Sequence, residues 1–323
     1  MDITMDSENI DLDEISDLFL KEAISAPNLF SDLAKVELYI AESYRTRSFI
    51  EIIQNADDAA LNDSNEVYFN FCNSSLMVSH NGKSFDEADI NGITSFGKGT
   101  KVADDTKTGY KGIGFKSVFG KSNRVTIISD GYSFRFDRNE VKSLFGENRM
   151  PWQIIPIWTE LSHDMKGTSV QKKYNVSTII ELESPLNLKD ELNELLSNGK
   201  ILLFLRKISK ISISINGNLD CIIKKQINKT KERYDEVVLF KNDKELSNWI
   251  VTTFDKIPID KDTQLTLMQD EKTPDKLKEA KFTEISFAAK IENGKLKEIK
   301  GEESLIFTYL PTKVSDFEFP FLY

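Results

Sequence analysis

The feature that most restricts the fold lies between residues 47 and 80. Phe49, Ile53, Ala56 and Ala60 recur at helical spacing, so one face of this helix must be covered. Directly after it Val67, Phe69 and Phe71 alternate, Asn73-Ser74-Ser75 turns, and Leu76 and Val78 alternate again with His80 in phase. The helix face is therefore core, and the strands after it form a hairpin. Val125 and Ile127, then Tyr132, Phe134 and Phe136, predict a second strand pair around Ser129-Asp130-Gly131. Thr178 is read as opening a further strand with Ile180 and Leu182, and residues 188 to 205 as helical. Helix and sheet alternate without βαβ regularity.

Before this block, residues 1 to 26 are acidic and weakly amphipathic, and are read as an appended arm or helix. From Pro27 to Asn62 the pattern is helical, with a break near Glu42 to Tyr44. From Ile208 the text turns to strands such as ISISING, EVVLF and EISFAAKI, and a boundary is placed at 205/206. The chain therefore reads as 1–26, 27–205 and 206–323. Its closing Phe319-Pro320-Phe321-Leu322-Tyr323 is apolar, the expectation for a piece of something larger.

Composition narrows the function. With 52 acidic against 42 basic residues the net charge is -10, which disfavours a general grip on nucleic-acid phosphates. Cys72 and Cys221 are the two cysteines, far apart and without metal-ligand spacing, and the start MDITMDSENIDLDE has no basic or apolar leader segment. The apolar run at Ile201 to Leu205 is far short of the ~20 residues that span a bilayer. A cytoplasmic location with no membrane partner is expected.

Chemistry concentrates in three elements. On the first helix Glu51, Asn55 and Asp58 form a stripe opposite the apolar face. Alone this stripe is an ordinary solvated face. A carboxylate there can also orient and deprotonate a water, while an amide oxygen one turn on can complete a magnesium shell made mostly of phosphates and waters. The second element is the strand end His80-Asn81-Gly82, where glycine permits a tight turn or a close backbone approach. The third is Gly109-Tyr110-Lys111-Gly112-Ile113-Gly114-Phe115, read as a loop entering a helix, whose amides suit phosphate oxygens. Between the last two lies a glycine-rich, cationic stretch around Lys98, a composition suited to a lid.

The joint order Glu51-x-x-x-Asn55-x-x-Asp58, strand to Gly82, then Gly109-x-x-Gly112-x-Gly114 resembles the N, N2 and G2 boxes of GHKL ATPases. That superfamily includes gyrase B subunits, mismatch-repair ATPases and heat-shock chaperones. The phrases IIQNADDA, HNGKSFDEADINGI and GYKGIGFKSVF resemble sacsin-type N-terminal ATPase domains, over residues 27 to 205. The resemblance implies an α/β two-layer sandwich (the Bergerat fold), with helices on one face of a mixed, mainly antiparallel sheet. A partial transducer-like α+β domain would follow. It implies ATP and Mg2+ as cofactors, with Glu51 as general base and Asn55 as metal ligand. Asp58 would tie the helix to the base pocket. His80, Asn81, Gly82 and Thr178 would lie around the base, Thr168 being a rival for the threonine. Lys98, Gly109, Lys111, Gly112, Ile113, Gly114 and Phe115 would lie around the phosphates. Lys313 would reach the terminal phosphate from the second domain, or be a solvated surface lysine.

One position departs from the pattern. Where the superfamily has an aspartate that accepts the adenine amino hydrogen bond, this chain has His80. A neutral imidazole nitrogen or the Asn81 amide oxygen is then the available acceptor, unless His80 is only a satisfied strand-end residue. The expected function is slow, Mg-dependent ATP hydrolysis acting as a conformational switch in a sacsin-like multidomain protein or a prokaryotic defence system. The competing expectation is an idle Bergerat domain used as a scaffold. Expected partners are the nucleotide, downstream domains of the same protein and a second copy in an ATP-dependent homodimer. A histidine kinase, sharing the fold, would need a phosphoacceptor histidine on a preceding helix, and His80 and His163 do not supply one.

Overall fold

Amphipathic segments that each leave one apolar face uncovered set the architecture. The structure is a computed structural model that describes residues 12–44, 48–63, 65–94, 114–129, 132–145, 150–159, 173–182, 185–271, 273, 278–300, 307 and 320–322. Its compact units comprise Met1–Asp190 with Ser212–Asp220, and Glu191–Ile211 with Cys221–Tyr323.

In the first unit α1 (Leu12–Ser25), α2 (Pro27–Tyr44) and α3 (Ser48–Ala59) precede the hairpin β1 (Asn65–Phe71) and β2 (Ser75–His80). Then come α4 (Glu87–Ile93), a short 3-10 helix (Gly114–Gly120), β3 (Arg124–Ser129), β4 (Tyr132–Asp137) and α5 (Arg138–Phe145). A 3-10 turn (Trp152–Ile154), β5 (Ile157–Trp158), β6 (Val176–Glu181) and α6 (Pro185–Leu195), whose residues 191–195 belong to the second unit, follow. The strand order is β1-β2-β6-β3-β4-β5, and each of these pairings is antiparallel.

Register explains which face holds the core. Phe69 lies opposite Val78, Val78 opposite Thr178, Thr178 opposite Ile127 and Ile127 opposite Phe134, so these five residues share one face. Phe49 of α3 meets Phe69 edge-on at 5.9 Å, and Phe119 of the 3-10 helix meets Phe136 at 5.3 Å. The helices are thus bound to this face by aromatic packing. The predicted face Phe49, Ile53, Ala56 and Ala60 is buried throughout. Strand β6 begins two residues earlier than expected, because Val176 continues the alternation of Thr178 and Ile180, and Thr178 is therefore a mid-strand residue.

Helix α4 has no counterpart in the periodic reading. It is seven residues long, too short to show a period. Its start is a capping box in which Asp86 and Asp89 each accept from the other's backbone N–H. The expected helix over 188–205 divides into α6 and α7 (Ile201–Phe204), with Gly199 between them at a φ of 68°, a backbone state only glycine adopts cheaply.

The second unit contains α7, β7 (Ile208–Ile215), of which residues 212–215 belong to the first unit, and an antiparallel meander. The meander is β8 (Asn218–Lys229), β9 (Asp235–Lys241), β10 (Lys244–Pro258), β11 (Phe282–Glu292) and β12 (Lys295–Lys297), with α8 (Lys261–Gln269) between β10 and β11. Buried Lys225 donates to the carbonyls of Leu202 and Leu205, satisfying groups that the short α7 leaves without helical partners. Leu322 pairs with Ala288 and is fully buried, so part of the apolar final run packs into this unit. Among the described residues no helix is long and apolar enough to cross a membrane.

The least expected feature of the first unit is a buried lysine and a buried glutamate that interact electrostatically. Lys116 in the 3-10 helix donates to the carbonyls of Ile93, at 3.0 Å, and Gln153, at 3.1 Å. Glu37 of α2 accepts from the backbone N–H groups of Trp152 and Gln153. Both side chains are 1% exposed. Burial pushes the Glu37 carboxyl up to about 8 and the Lys116 ammonium down to about 8, opposed by their mutual attraction. The pair joins α2, the end of α4, the 3-10 helix and residues 152–153. Lys116→Met should lower the unfolding free energy by about 2–5 kcal/mol, because it leaves the buried carbonyls of Ile93 and Gln153 without their donor. Urea unfolding would show it.

Candidate functional site

Helix α3 ends against the end of β2, and this junction positions the candidate residues. Ala60 and Gly82 form an isolated antiparallel bridge, and the Lys83 N–H donates to the Ala59 carbonyl at 2.7 Å. A Cβ on Gly82 would lie 2.8 Å from the Ala59 oxygen and 2.8 Å from His80 Nδ1. Glycine is required here for close backbone approach rather than for an unusual φ. The hairpin end is also tied to the start of β6. Asn81 Oδ1 accepts from the Asn175 N–H at 3.1 Å, while the Asn175 amide donates to the Gly82 carbonyl at 3.2 Å. Further along the same two strands, the buried hydroxyls of Ser79 and Ser177 bond at 2.7 Å.

On α3 Glu51, Asn55 and Asp58 are half-buried, more covered than an ordinary exposed helix face. Their oxygens are hard donors, suited to magnesium, and Glu51 and Asn55 stand one helical turn apart. Thr178 is half-buried on the helix-facing side of the sheet, two residue pairs along from His80. Gly114 and Phe115 open the 3-10 helix, and the half-buried Phe115 ring meets Phe119 at 5.7 Å. The helix expected after the glycine loop is therefore seven residues of 3-10 geometry. Lys98, Gly109, Lys111, Gly112, Ile113, Thr168 and Lys313 lie outside the described residues.

His80 has a defined environment. Its register partners are Val67 on β1 and Val176 on β6, both buried. Nδ1 accepts a hydrogen bond from the Gly82 N–H at 3.0 Å. Loss of water around the ring pulls its pKa from 6.5 down to about 4, so the imidazole is neutral near pH 7.

Two features escaped the sequence reading. Lys116 carries a signal, a cation in the segment Phe115-Lys116-Ser117-Val118-Phe119, whereas Glu37 looks like any helix-surface acid.

Comparison with known proteins gives the class first. Residues 36–144 match the Sacsin domain family, a span that includes α3, the β1-β2 hairpin and the 3-10 helix. Over that segment the chain is sacsin-like. Among individual proteins, Protein NO VEIN of Arabidopsis thaliana is 35% identical over 106 residues, covering 32% of this chain and 4% of that protein. Sacsin of Homo sapiens is 33% identical over 96 residues, covering 24% of this chain and 2% of that protein. The matched regions are thus a small fraction of both relatives. A solved N-terminal domain of a DNA repair protein aligns with 65% of this chain and 72% of its own, at 12% identity and a TM-score of 0.33.

Two outcomes test the local geometry. Gly82→Ala should destabilise the fold by about 1–3 kcal/mol, since backbone at both ends of the junction must shift. Protonating His80 costs more in the fold than in the unfolded chain. His80 should therefore erode stability as pH falls from 6.5 towards 4, and contribute no slope above that window. Comparing the pH dependence of unfolding in wild type and His80→Gln isolates this contribution from the carboxylates.

Proposed function

We propose that this chain is an ATP-binding module with slow, Mg-dependent hydrolysis, whose nucleotide state biases the conformation of a larger sacsin-like protein. The observation that carries the reading is the half-buried stripe Glu51, Asn55 and Asp58 on a helix whose end is locked to the strand carrying His80. The sacsin-domain match spans both elements and the segment from 109 to 115. The Bergerat fold belongs to the same proposal, supported by the antiparallel sheet with α3 and the 3-10 helix packed on one face.

Each residue has a stated role. Asn55 offers one amide oxygen to magnesium, which would neutralise phosphate charge and take the rest of its shell from phosphates and waters. Glu51 orients a water and accepts its proton. Asp58, one further turn along, faces the base end of the site. The backbone around Gly112 and Gly114, with Lys98 and Lys111, supplies positive potential to the phosphates. A second reading, a catalytically idle scaffold, is favoured by one observation, the histidine at the position where the superfamily pattern has aspartate.

The two readings separate on paired substitutions. A general base acts mainly in the transition state, so Glu51→Ala should bind ATP like wild type yet hydrolyse it about a hundredfold to ten-thousandfold more slowly. Asn55→Ala should abolish magnesium-dependent binding in calorimetry. Equal turnover in wild type and Glu51→Ala, above a no-enzyme control, would remove Glu51 from the role and leave the scaffold reading.

A further inference from the structure

The hydrogen bond to His80 decides what this side chain offers a ligand. A ring nitrogen that accepts from a backbone N–H has its lone pair engaged and carries no proton. In the neutral imidazole the other nitrogen must then be protonated. Gly82 N–H donates to Nδ1, so Nε2 bears the hydrogen and is a donor. The Gly82 backbone is itself fixed by the bridge to Ala60 and by Asn175, so the ring cannot flip without losing this bond. Among the described residues Nε2 has no hydrogen-bond partner, and the ring is half-buried between Val67 and Val176. The other acceptor near the strand end, Asn81 Oδ1, already receives the Asn175 N–H.

We infer that His80 reads an acceptor on the bound purine, the ring nitrogen N1 of adenine, and that the exocyclic amino group goes unread at this position. The inference rests on the ATP reading above. It inverts the polarity expected from a carboxylate at the same place. Nε2–H against the amino group would set donor against donor, with no water to relieve it, whereas N1 of adenine is an acceptor. Guanine and hypoxanthine carry a hydrogen on N1, so a donor here also selects against them.

The test uses calorimetry at neutral pH with magnesium and three probes: ATP, purine riboside triphosphate, which lacks the amino group, and 1-deaza-ATP, which lacks N1. Wild type should bind the first two within about threefold. It should bind 1-deaza-ATP about tenfold or more weakly, the effect of leaving a buried donor unmatched. His80→Asp should reverse the pattern, tolerating 1-deaza-ATP and losing about tenfold or more on purine riboside triphosphate, since a charged acceptor then meets the amino group. Loss of purine riboside triphosphate binding in wild type, or equal binding of ATP and 1-deaza-ATP, would overturn the inference while leaving ATP binding standing. No binding of any probe would overturn the ATP reading itself, and the inference with it.

Discussion

The close backbone contact between the end of α3 and the end of β2 is the constraint on which the site depends. Gly82 lets the chain pass within bonding distance of Ala59 and Ala60, and any side chain there meets backbone. The contact fixes the angle between helix and strand, and hence where Glu51, Asn55 and Asp58 stand relative to His80. It also delivers the N–H that sets the imidazole tautomer. A single glycine thereby acts on geometry and on hydrogen-bond polarity together.

The buried Lys116 and Glu37 perform a similar task where α2 meets the 3-10 helix. Each satisfies backbone groups that no regular ladder reaches: the carbonyl at the end of α4, and the N–H groups of Trp152 and Gln153. Burying two ionisable side chains is costly, and they are tolerated only when hydrogen bonds compensate. Here four backbone bonds do so. The pair anchors the 3-10 helix that follows the glycine loop, so its effect reaches the place where phosphates would bind under the proposed function.

What the sequence made legible follows from which interactions are local. The core face of α3 and the two hairpins are written in spacing alone, because burial of alternate or every third and fourth residue repeats along the chain. Helix α4 left only Asp86 and Asp89 as a sign, since seven residues cannot show a helical period. The burial of Lys116 could not be read, because its acceptors at Ile93 and Gln153 lie 23 and 37 residues away. The candidate stripe was visible as a pattern, yet its half-buried state depends on tertiary packing. For His80 the departure from the superfamily pattern was plain in the sequence. The direction of its hydrogen bond was not, since that is set by a backbone N–H brought close by the bridge to Ala60.

Under the proposed function the helix stripe of Glu51, Asn55 and Asp58 and the strand end at His80 belong to one nucleotide site. The most direct test of that claim is a crystal structure of the protein with a non-hydrolysable ATP analogue and magnesium. The account predicts metal density about 2.1 Å from Asn55 Oδ1 in an octahedral shell otherwise filled by phosphates and waters, with the base beside His80. Nucleotide bound elsewhere, or a metal that leaves Asn55 outside its shell, would contradict it.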